Sequence, residues 1–490
     1  MTRIARAMAG VLMGAALALT PSPAHAARAQ PAISWKACEG DGATECGTLR
    51  VPIDWAKPGG AAIELAVARR RAGDPGRRVG ALVVNYGGGP GADFVQHQAA
   101  GYFSPEVLAR FDIVGFDPRG VGRSNPVRCS ADLVRREPWP PTPRDQADFD
   151  RRAAFYAELA ADCRRRTGPV YEHLDTVSVV RDMEALRVAL GERKLTYHGV
   201  SAGTLAGQQY AELFGDRIRA MSLDSSMDHS LDTRRFLLTA ARSAEDSFGR
   251  FLRWCERDSG CALHGRDVAR IWDGLLARAD RGELRDPNRP DFAPTAFDLI
   301  NEAHLGGLMR PDPRWLAERI AAYHSGKPGP RGVYRGGPPP DVNEVEMPAP
   351  ALCQDWRLRI RDHRQYSRYA KAMRQVAPHM RTAPDIQTAA LVCAVWPGEA
   401  TNPQHRLRIR NTPKLLMINS LFDPATGYGW AANVHRQTRR ASVLVTYEGA
   451  GHGAYERTPC TRAVVDRYLL DLRVPPEGTR CPAAPLGESR

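Results

Sequence analysis

Short hydrophobic runs alternate with amphipathic segments in two parts of this 490-residue chain. Short apolar runs bounded by turn residues are typical of buried strands, and apolar positions recurring every three or four residues are typical of helices. The predicted strands lie at 62–67, 80–85, 111–116, 195–197, 220–223, 413–419 and 443–447. The predicted helices around them lie at 147–166, 175–190, 204–214 and 461–472. This alternation predicts an α/β fold with a mostly parallel sheet and helices on both faces.

Residues 229–410 do not follow this rhythm. Helical patterns dominate there, and a Gly- and Pro-rich stretch at 326–350 interrupts them. The helical patterns lie at 234–280, 296–325 and 365–377. We therefore expect a helical lid or cap at 229–410, inserted between a first part of the sheet domain at 27–228 and a second part at 411–490.

The first 26 residues have the features of a secretory signal peptide. Two arginines precede an apolar run at 9–19 that is too short to span a bilayer, and Ala24-His25-Ala26 has the small-x-small pattern of a cleavage site. We expect a mature chain that begins at Ala27 and is secreted without stable membrane insertion. A retained N-terminal anchor is the alternative.

Ten cysteines are consistent with export, because disulfides persist in oxidising compartments. Pairing of successive cysteines is the simplest hypothesis, although sequence alone leaves the connectivity open. The candidate pairs are Cys38–Cys46, Cys129–Cys163, Cys255–Cys261, Cys353–Cys393 and Cys460–Cys481. None of the spacings matches a zinc motif, so we expect no bound metal.

The formal net charge is +13, which raises the question of an anionic partner. The arginines are interleaved with Asp and Glu, and no aromatic-basic pattern typical of nucleic-acid binding accompanies them. We therefore interpret the charge as a solvated surface and expect no nucleic-acid partner.

The candidate chemistry begins at Gly199-Val200-Ser201-Ala202-Gly203, which lies between the predicted strand at 195–197 and the predicted helix at 204–214. A tight turn that places Ser between two glycines, after a strand and before a helix, is the nucleophile elbow of α/β-hydrolases. The glycines avoid collisions that a Cβ would cause, and the strained turn exposes the hydroxyl. This predicts that Ser201 is a nucleophile.

A glycine cluster at 87–91 directly follows the predicted strand at 80–85. In an α/β-hydrolase, the loop at this place supplies one backbone donor of the oxyanion hole, and the residue after the nucleophile supplies the other. We therefore expect the N–H groups of Gly88, Gly89 and Ala202 to form this site. A flexible loop and a phosphate-binding turn are the alternatives, but the Gly-Lys-Ser/Thr ending of a P-loop is absent.

A serine nucleophile needs an imidazole base and a carboxylate that orients the imidazole. His452 lies in a Gly-rich loop after the last predicted strand, and Asp423 follows the strand before it. The order Ser, Asp, His is that of α/β-hydrolases. Asp224 is the competing acid, although we expect it to cap a turn. Asp117 and Arg119 are expected to form an ion pair that fixes a turn beside the site.

Motifs over almost the whole mature chain, in the order of the sequence, support a narrower assignment. They are Cys46-Gly47-Thr48-Leu49-Arg50-Val51-Pro52-Ile53-Asp54-Trp55, Gly88-Gly89-Pro90-Gly91, Phe116-Asp117-Pro118-Arg119-Gly120-Val121-Gly122-Arg123-Ser124, the elbow, Cys353-Gln354-Asp355-Trp356, Asp423-Pro424-Ala425-Thr426 and Gly451-His452-Gly453. With them the chain resembles the secreted actinobacterial tripeptidyl aminopeptidase-like proteins, relatives of the prolyl aminopeptidases. The resemblance implies a cofactor-free exopeptidase that releases short peptides from free N-termini. It also implies acidic lid residues that receive the substrate ammonium, for which Glu344, Glu346 and Asp355 are candidates.

Three departures from the family pattern lie beside the expected nucleophile or oxyanion loop. Ala202 stands where the relatives usually carry Tyr, Gly91-Ala92-Asp93-Phe94 replaces a Gly-Gly-Ser-Gly continuation, and Asp224-Ser225-Ser226-Met227-Asp228 replaces an Asp-Gly-hydrophobic run. They leave an esterase or amidase acting on a small-molecule acyl group as an alternative to a peptidase. A binding protein on a hydrolase fold that has lost turnover is a third hypothesis.

Overall fold

Strands from most of the chain form one ten-stranded sheet. The computed structural model describes residues 33–333, 341–347 and 349–487. The predicted signal peptide and the predicted mature start at Ala27 lie outside these residues. The strands are β1 (Lys36–Cys38), β2 (Asp41–Pro52), β3 (Ala62–Arg70), β4 (Gly80–Asn85), β5 (Phe111–Phe116), β6 (Arg128–Ser130), β7 (Leu195–Val200), β8 (Ile218–Asp224), β9 (Glu344–Glu346), β10 (Leu415–Phe422), β11 (Ser442–Ala450) and β12 (Arg480–Cys481).

The sheet is antiparallel at one edge and parallel elsewhere. Its strand order is β1-β2-β3-β5-β4-β7-β8-β10-β11-β12, and every pairing from β5 to β12 is parallel. The prediction of a mostly parallel sheet is therefore confirmed. Because the central strands run in one direction, the loops after β4, β7, β8, β10 and β11 leave the sheet at the same edge. The predicted site residues lie in these loops.

Helices cover both faces of the sheet. They are α1 (Gly91–His97), α2 (Ala99–Tyr102), α3 (Pro105–Arg110), α4 (Ala131–Arg135), α5 (Gln146–Thr167), α6 (Thr176–Ala189), α7 (Ala202–Phe214), α8 (Thr233–Arg257), α9 (Val268–Asp280), α10 (Ala296–Glu302), α11 (Pro313–Ser325), α12 (Ala349–Asp355), α13 (His363–Val376), α14 (Pro384–Val395), α15 (Tyr428–Gln437) and α16 (Pro459–Asp471). No helix in the described residues is both long and apolar enough to cross a bilayer.

The two layers can be followed along β4, where every residue is buried. Ala81 and Val83 belong to a hydrophobic cluster that includes residues of α6 and α7, whereas Leu82 and Val84 belong to a cluster that includes residues of α1, α3 and α16. Side chains of a strand alternate between its faces, so both faces of the sheet are packed against helices. This double burial explains why the central strands are mostly apolar.

Residues 229–410, which we call the helical insertion, contain helices α8–α14 and a π-helical turn at Ala303–Leu308. Most of a third hydrophobic cluster belongs to these helices. The predicted helix at 234–280 is two helices, α8 and α9, separated by a loop that the Cys255–Cys261 disulfide closes. The insertion also holds the unpredicted strand β9, which pairs with β6 of the first part of the sheet domain. That the insertion forms a separate lid domain stays a prediction.

The ten cysteines form five disulfides, and each joins successive cysteines as the sequence pattern suggested. The bonds are Cys38–Cys46, Cys129–Cys163, Cys255–Cys261, Cys353–Cys393 and Cys460–Cys481.

The predicted ion pair between Asp117 and Arg119 is wrong. The guanidinium of Arg119 lies instead on the buried carboxylate of Asp182 in α6, with nitrogen–oxygen distances of 2.7 and 2.6 Å. The carboxylate of Asp117 accepts from the backbone N–H groups of Ala92 and Arg123, both at 2.9 Å. The two residues are close in sequence, yet each is satisfied by a different partner.

Candidate active site

Ser201 stands between β7 and α7 with φ 57° and ψ −122°, a backbone conformation that L-residues rarely adopt. The glycines on either side make this turn possible. A Cβ on Gly199 would lie 2.6 Å from the backbone oxygen of Gly203, and one on Gly203 would lie 2.3 Å from the backbone oxygen of Asn85. The G-x-S-x-G spacing thus reflects close packing between the elbow, α7 and the end of β4.

Backbone hydrogen bonds fix the elbow. The N–H of Ser201 donates to the carbonyl of Asp224 at 3.0 Å, and the carbonyl of Ser201 accepts from the backbone and hydroxyl of Thr204 at 2.9 and 2.6 Å. The hydroxyl of Ser201 makes no hydrogen bond to any residue that the structure describes. Catalytic hydrogen bonds are often long before substrate binds, so this geometry is compatible with a nucleophile.

The glycine loop after β4 lies against the elbow. A Cβ on Gly87 would be 3.6 Å from the Cβ of Ser201, which places the start of the loop in contact distance of the predicted nucleophile. Gly88 and Gly89 follow at the surface, where a Cβ on either would meet no described atom within 4 Å, and Ala202 is exposed as the first residue of α7. The three residues expected at the oxyanion hole are therefore all exposed, and their role as donors stays a prediction.

Asp423 and His452 form a carboxylate–imidazole pair. Nδ1 of His452 lies 3.1 Å from Oδ1 and 3.0 Å from Oδ2 of Asp423. The side chain of Asp423 is inaccessible, whereas that of His452 is 14 % exposed. The carboxylate also accepts from the N–H groups of Ala425 and Thr426, both at 2.9 Å, and from the hydroxyl of Thr426 at 3.0 Å.

The pair alters the protonation of the imidazole. Burial by itself would lower the pKa of His452, but the charge and hydrogen bond of Asp423, together with the charges of Asp224 and Asp385, outweigh burial, and the pKa is raised above its ordinary value of 6.5. A carboxylate that stabilises the imidazolium is what a serine nucleophile requires of its acid–base partners.

Asp224, the competing acid, binds backbone groups that follow His452. Its buried carboxylate accepts from the N–H of Ala454 at 2.9 and 2.8 Å and from the N–H of Tyr455 at 2.8 Å, and it also accepts from the hydroxyl of Ser225. Burial raises the pKa of Asp224 to about 6, against these hydrogen bonds. Its carbonyl meanwhile binds Ser201, so Asp224 connects the elbow with the residues that follow His452.

The three acidic residues suggested by the resemblance, Glu344, Glu346 and Asp355, bind other groups of the protein. Glu344 forms ion pairs with Arg128 and Arg166, and Glu346 accepts from the N–H of Gly122 at 3.2 Å. Their role toward substrate stays a prediction.

Asp355 is buried at the junction of the insertion with α6. Its carboxylate accepts from the N–H and hydroxyl of Thr176 at 2.8 and 2.6 Å and from the amide of Asn402 at 2.6 Å. Burial raises its pKa to about 7. These contacts occupy the carboxylate with bonds inside the protein.

Sequence reasoning missed Asp385, near the beginning of α14. Its side chain is 39 % exposed, and its Oδ1 lies 3.4 Å from Nε2 of His304, whose own side chain is inaccessible. The charge of Asp385 also helps to raise the pKa of His452, the predicted base. No local pattern marks this residue, because it reaches the site only through the packing of the insertion.

Two family descriptions match the chain. Residues 80–296 match the family described as "alpha/beta hydrolase fold", and residues 380–481 match the family described as "TAP-like protein". Together they include β4, the elbow and the Asp423 and His452 loops.

Curated relatives are similar over most of the chain. The tripeptidyl aminopeptidase of Streptomyces lividans is 31 % identical over 96 % of this chain and 89 % of its own length. Carboxylesterase B of Mycobacterium tuberculosis is 31 % identical over 89 % of this chain and 86 % of its length. Serine protease Hip1 of the same species is 29 % identical over 92 % of this chain and 91 % of its length. The chain therefore belongs to the α/β-hydrolase family, in the branch that contains the tripeptidyl aminopeptidases, and is a serine hydrolase.

Proposed function

We propose that this protein is a secreted serine peptidase that removes short peptides from free N-termini through an acyl-enzyme. The observation that carries the proposal is the buried Asp423 carboxylate on Nδ1 of His452, at the same edge of the sheet as the strained Ser201. Ser201 is the nucleophile, His452 the general base and Asp423 the orienting acid in this proposal.

The reaction follows from these roles. Oγ of Ser201 attacks the scissile carbonyl carbon while Nε2 of His452 takes the hydroxyl proton. The resulting oxyanion accepts from the N–H of Ala202 and from the Gly88–Gly89 loop. When the carbon–nitrogen bond breaks, the leaving amine takes the proton from His452. Water then attacks the acyl-serine, loses its proton to His452 and releases the N-terminal peptide, which restores the Ser201 hydroxyl.

The free amino end of the substrate needs a negative partner. The name of the Streptomyces relative describes an aminopeptidase, and Asp385 is the carboxylate of the insertion whose charge acts on His452. Because its side chain is part-exposed and its neighbour His304 is buried, we assign Asp385 as the acceptor for the substrate ammonium. Asp385→Asn should raise KM for a free tripeptide anilide and leave KM for a simple ester unchanged.

An esterase or amidase is the second candidate. It is favoured by the similarity to a relative named carboxylesterase B and by the small side chain of Ala202 beside the nucleophile. A small residue there leaves room for an acyl group that differs from a peptide.

Secretion belongs to the same proposal. Five disulfides favour an oxidising compartment, and the first 26 residues have the pattern of a removable signal peptide. N-terminal sequencing of the exported protein should give Ala27 as the first residue. Recovery of full-length protein in the cell envelope would instead indicate a retained anchor.

A fluorophosphonate probe and three substrates test the catalytic proposal. The probe should label the wild-type protein but not Ser201→Ala. Ser325 lies at the exposed end of α11, so Ser325→Ala should keep full labelling. A tripeptide p-nitroanilide with a free N-terminus should be cleaved faster than its N-acetylated form. Cleavage of blocked peptides or p-nitrophenyl esters alone would favour the esterase, and an inert Ser201 would favour a non-catalytic binding protein.

A further inference from the structure

The segment Gly451–Tyr455, which we call the histidine loop, has all five of its backbone N–H groups in hydrogen bonds. The acceptors are the Phe422 carbonyl for Gly451 (3.0 Å), the Met309 carbonyl for His452 (2.9 Å), the Ser225 hydroxyl for Gly453 (2.9 Å) and the Asp224 carboxylate for Ala454 and Tyr455 (2.8 Å to each). Four of the N–H groups are therefore held by residues that end or follow core strands. The N–H of His452 is held by the helical insertion.

Arg457 strengthens this link between the histidine loop and the insertion. Its Nε donates to the carbonyl of Gly453 at 2.8 Å, and one terminal nitrogen donates to the carbonyls of His452 at 2.7 Å and Met309 at 3.5 Å. One guanidinium thus joins the peptide of the predicted base to the turn that follows the π-helical residues. A guanidinium can do this because its donors point in fixed, different directions.

The fit between the histidine loop and this turn is close. Gly451 has φ +101°, and a Cβ on it would lie 2.6 Å from Cδ of Pro311. A larger residue at position 451 would push the turn away from His452.

The insertion also contacts the loop that carries Asp423. The hydroxyl of Ser247 in α8 donates to the carbonyl of Phe422 at 3.0 Å. On the other side of Asp423, the side chain of Ser243 fills the space that a Cβ on Gly427 would need. Helix α8 therefore supports the loop of the proposed acid before and after the carboxylate.

We propose that the insertion positions the acid and base of the triad. Arg457 is in this proposal a positioning residue, through which the turn at Met309 holds His452 in place. The inference rests on the proposed function of Ser201, Asp423 and His452. A general base must stay within hydrogen-bond distance of the hydroxyl that it deprotonates, and a misplacement of about 1 Å can lower the rate on the order of 100-fold. A movement of the turn at Met309 changes catalysis because it moves the peptide of His452.

Arg457→Ala tests this role, with Arg462→Ala as the matched control. Both arginines line a surface cavity of about 830 Å³, but Arg462 lies over the ring of Tyr455 instead of binding the carbonyls. We expect Arg457→Ala to lower kcat and the fluorophosphonate labelling rate by about 10- to 100-fold, with KM within about twofold of wild type. The probe is small and reacts at Ser201, so its rate reports the triad and not the distant substrate contacts. Arg462→Ala should match wild type.

Chemical rescue separates positioning from general stability. The open cavity lets guanidinium ion occupy the space that Arg457→Ala leaves, and about 50 mM guanidinium chloride should restore labelling severalfold, whereas sodium chloride at equal ionic strength should not. Arg457→Lys should recover part of the loss, since one ammonium cannot reach all three carbonyls.

Three results would overturn the inference: a labelling rate of Arg457→Ala within twofold of wild type, a loss confined to KM, or a fall in melting temperature with a rate that guanidinium does not restore. If wild type neither reacts with the probe nor turns over any substrate, the proposed function fails as well. If wild type reacts and Arg457→Ala reacts equally, the proposed function stands and the positioning role fails.

Discussion

The nucleophile elbow and the histidine loop bring the two proposed reacting groups to one edge of the sheet, but they are built in different ways. The elbow is fixed by neighbours in sequence and by the ends of β4 and β8, the two strands adjoining β7. Gly199 and Gly203 make room for the turn, and Thr204 binds the carbonyl of Ser201. The histidine loop is fixed by residues far away in sequence, including Asp224 and Met309.

The two constructions respond differently to changes elsewhere in the chain. A turn with local determinants keeps its shape when a distant element moves. A loop held by distant acceptors depends on the placement of each of them, so the base and not the nucleophile is the part of this site that the helical insertion can influence.

The largest expected effect is on the acid. Asp423→Asn should lower kcat on the order of 10⁴-fold, because an amide no longer stabilises the imidazolium or fixes its tautomer. The melting temperature should change little beside this loss, since the side-chain oxygen of Asn can still accept from Ala425 and Thr426. Steady-state kinetics with a p-nitrophenyl ester and thermal unfolding measure both quantities. Near-wild-type kcat in this variant would remove Asp423 from the triad.

Asp224→Asn should have the next largest effect and tests the support of the histidine loop from the core. An amide oxygen in the place of Oδ2 can still accept from Ala454 and Tyr455, but the NH₂ group then replaces Oδ1, which accepts from the N–H of Ala454 and from the hydroxyl of Ser225. We expect kcat to fall on the order of 100-fold by misplacement of His452 and the free energy of unfolding to fall by about 1–3 kcal/mol. A loss in kcat that exceeds that of Asp423→Asn would make Asp224 the acid.

The elbow can be broken by one methyl group. In Gly203→Ala the new Cβ would collide with the backbone oxygen of Asn85, and the free energy of unfolding should fall by about 1–3 kcal/mol. Gly88→Ala is the control, since its Cβ would meet no described atom within 4 Å, and its stability should stay within about 0.5 kcal/mol of wild type. Denaturant unfolding compares the two variants. Equal stability of both would mean that the elbow is not closely packed.

The same contrast explains how much the sequence could predict. The central strands β4, β5 and β7 are buried along their whole length and mostly apolar, because both faces are covered, so the pattern alone indicated them. The short strands β6 and β9 were missed, since they exist through pairing between segments far apart in the chain. Within the site, Ser201 follows from a local motif.

The other residues of the site needed different signals. Asp423 and His452 could be named from their order and their loops, although no sequence signal indicated that Asp224 binds the histidine loop or that the charge of Asp385 acts on its imidazole. Arg457 likewise became visible only through the carbonyls that surround it. Non-local contacts of this kind leave no periodicity or spacing in the chain.

The smallest expected effect concerns pH. His452 must be neutral to act as a base, so kcat/KM for a neutral ester should fall as pH drops through its pKa, with a midpoint above 6.5 because Asp423 raises that pKa against burial. Asp385 also favours the imidazolium, so Asp385→Asn should move the midpoint to lower pH by a fraction of a unit and leave the plateau at high pH unchanged. Arg462→Ala, which leaves the charges around the imidazole in place, should keep the wild-type midpoint. A shift to higher pH in Asp385→Asn would contradict a stabilising effect of this carboxylate on the imidazolium, and an unchanged midpoint would mean that solvent screens its charge.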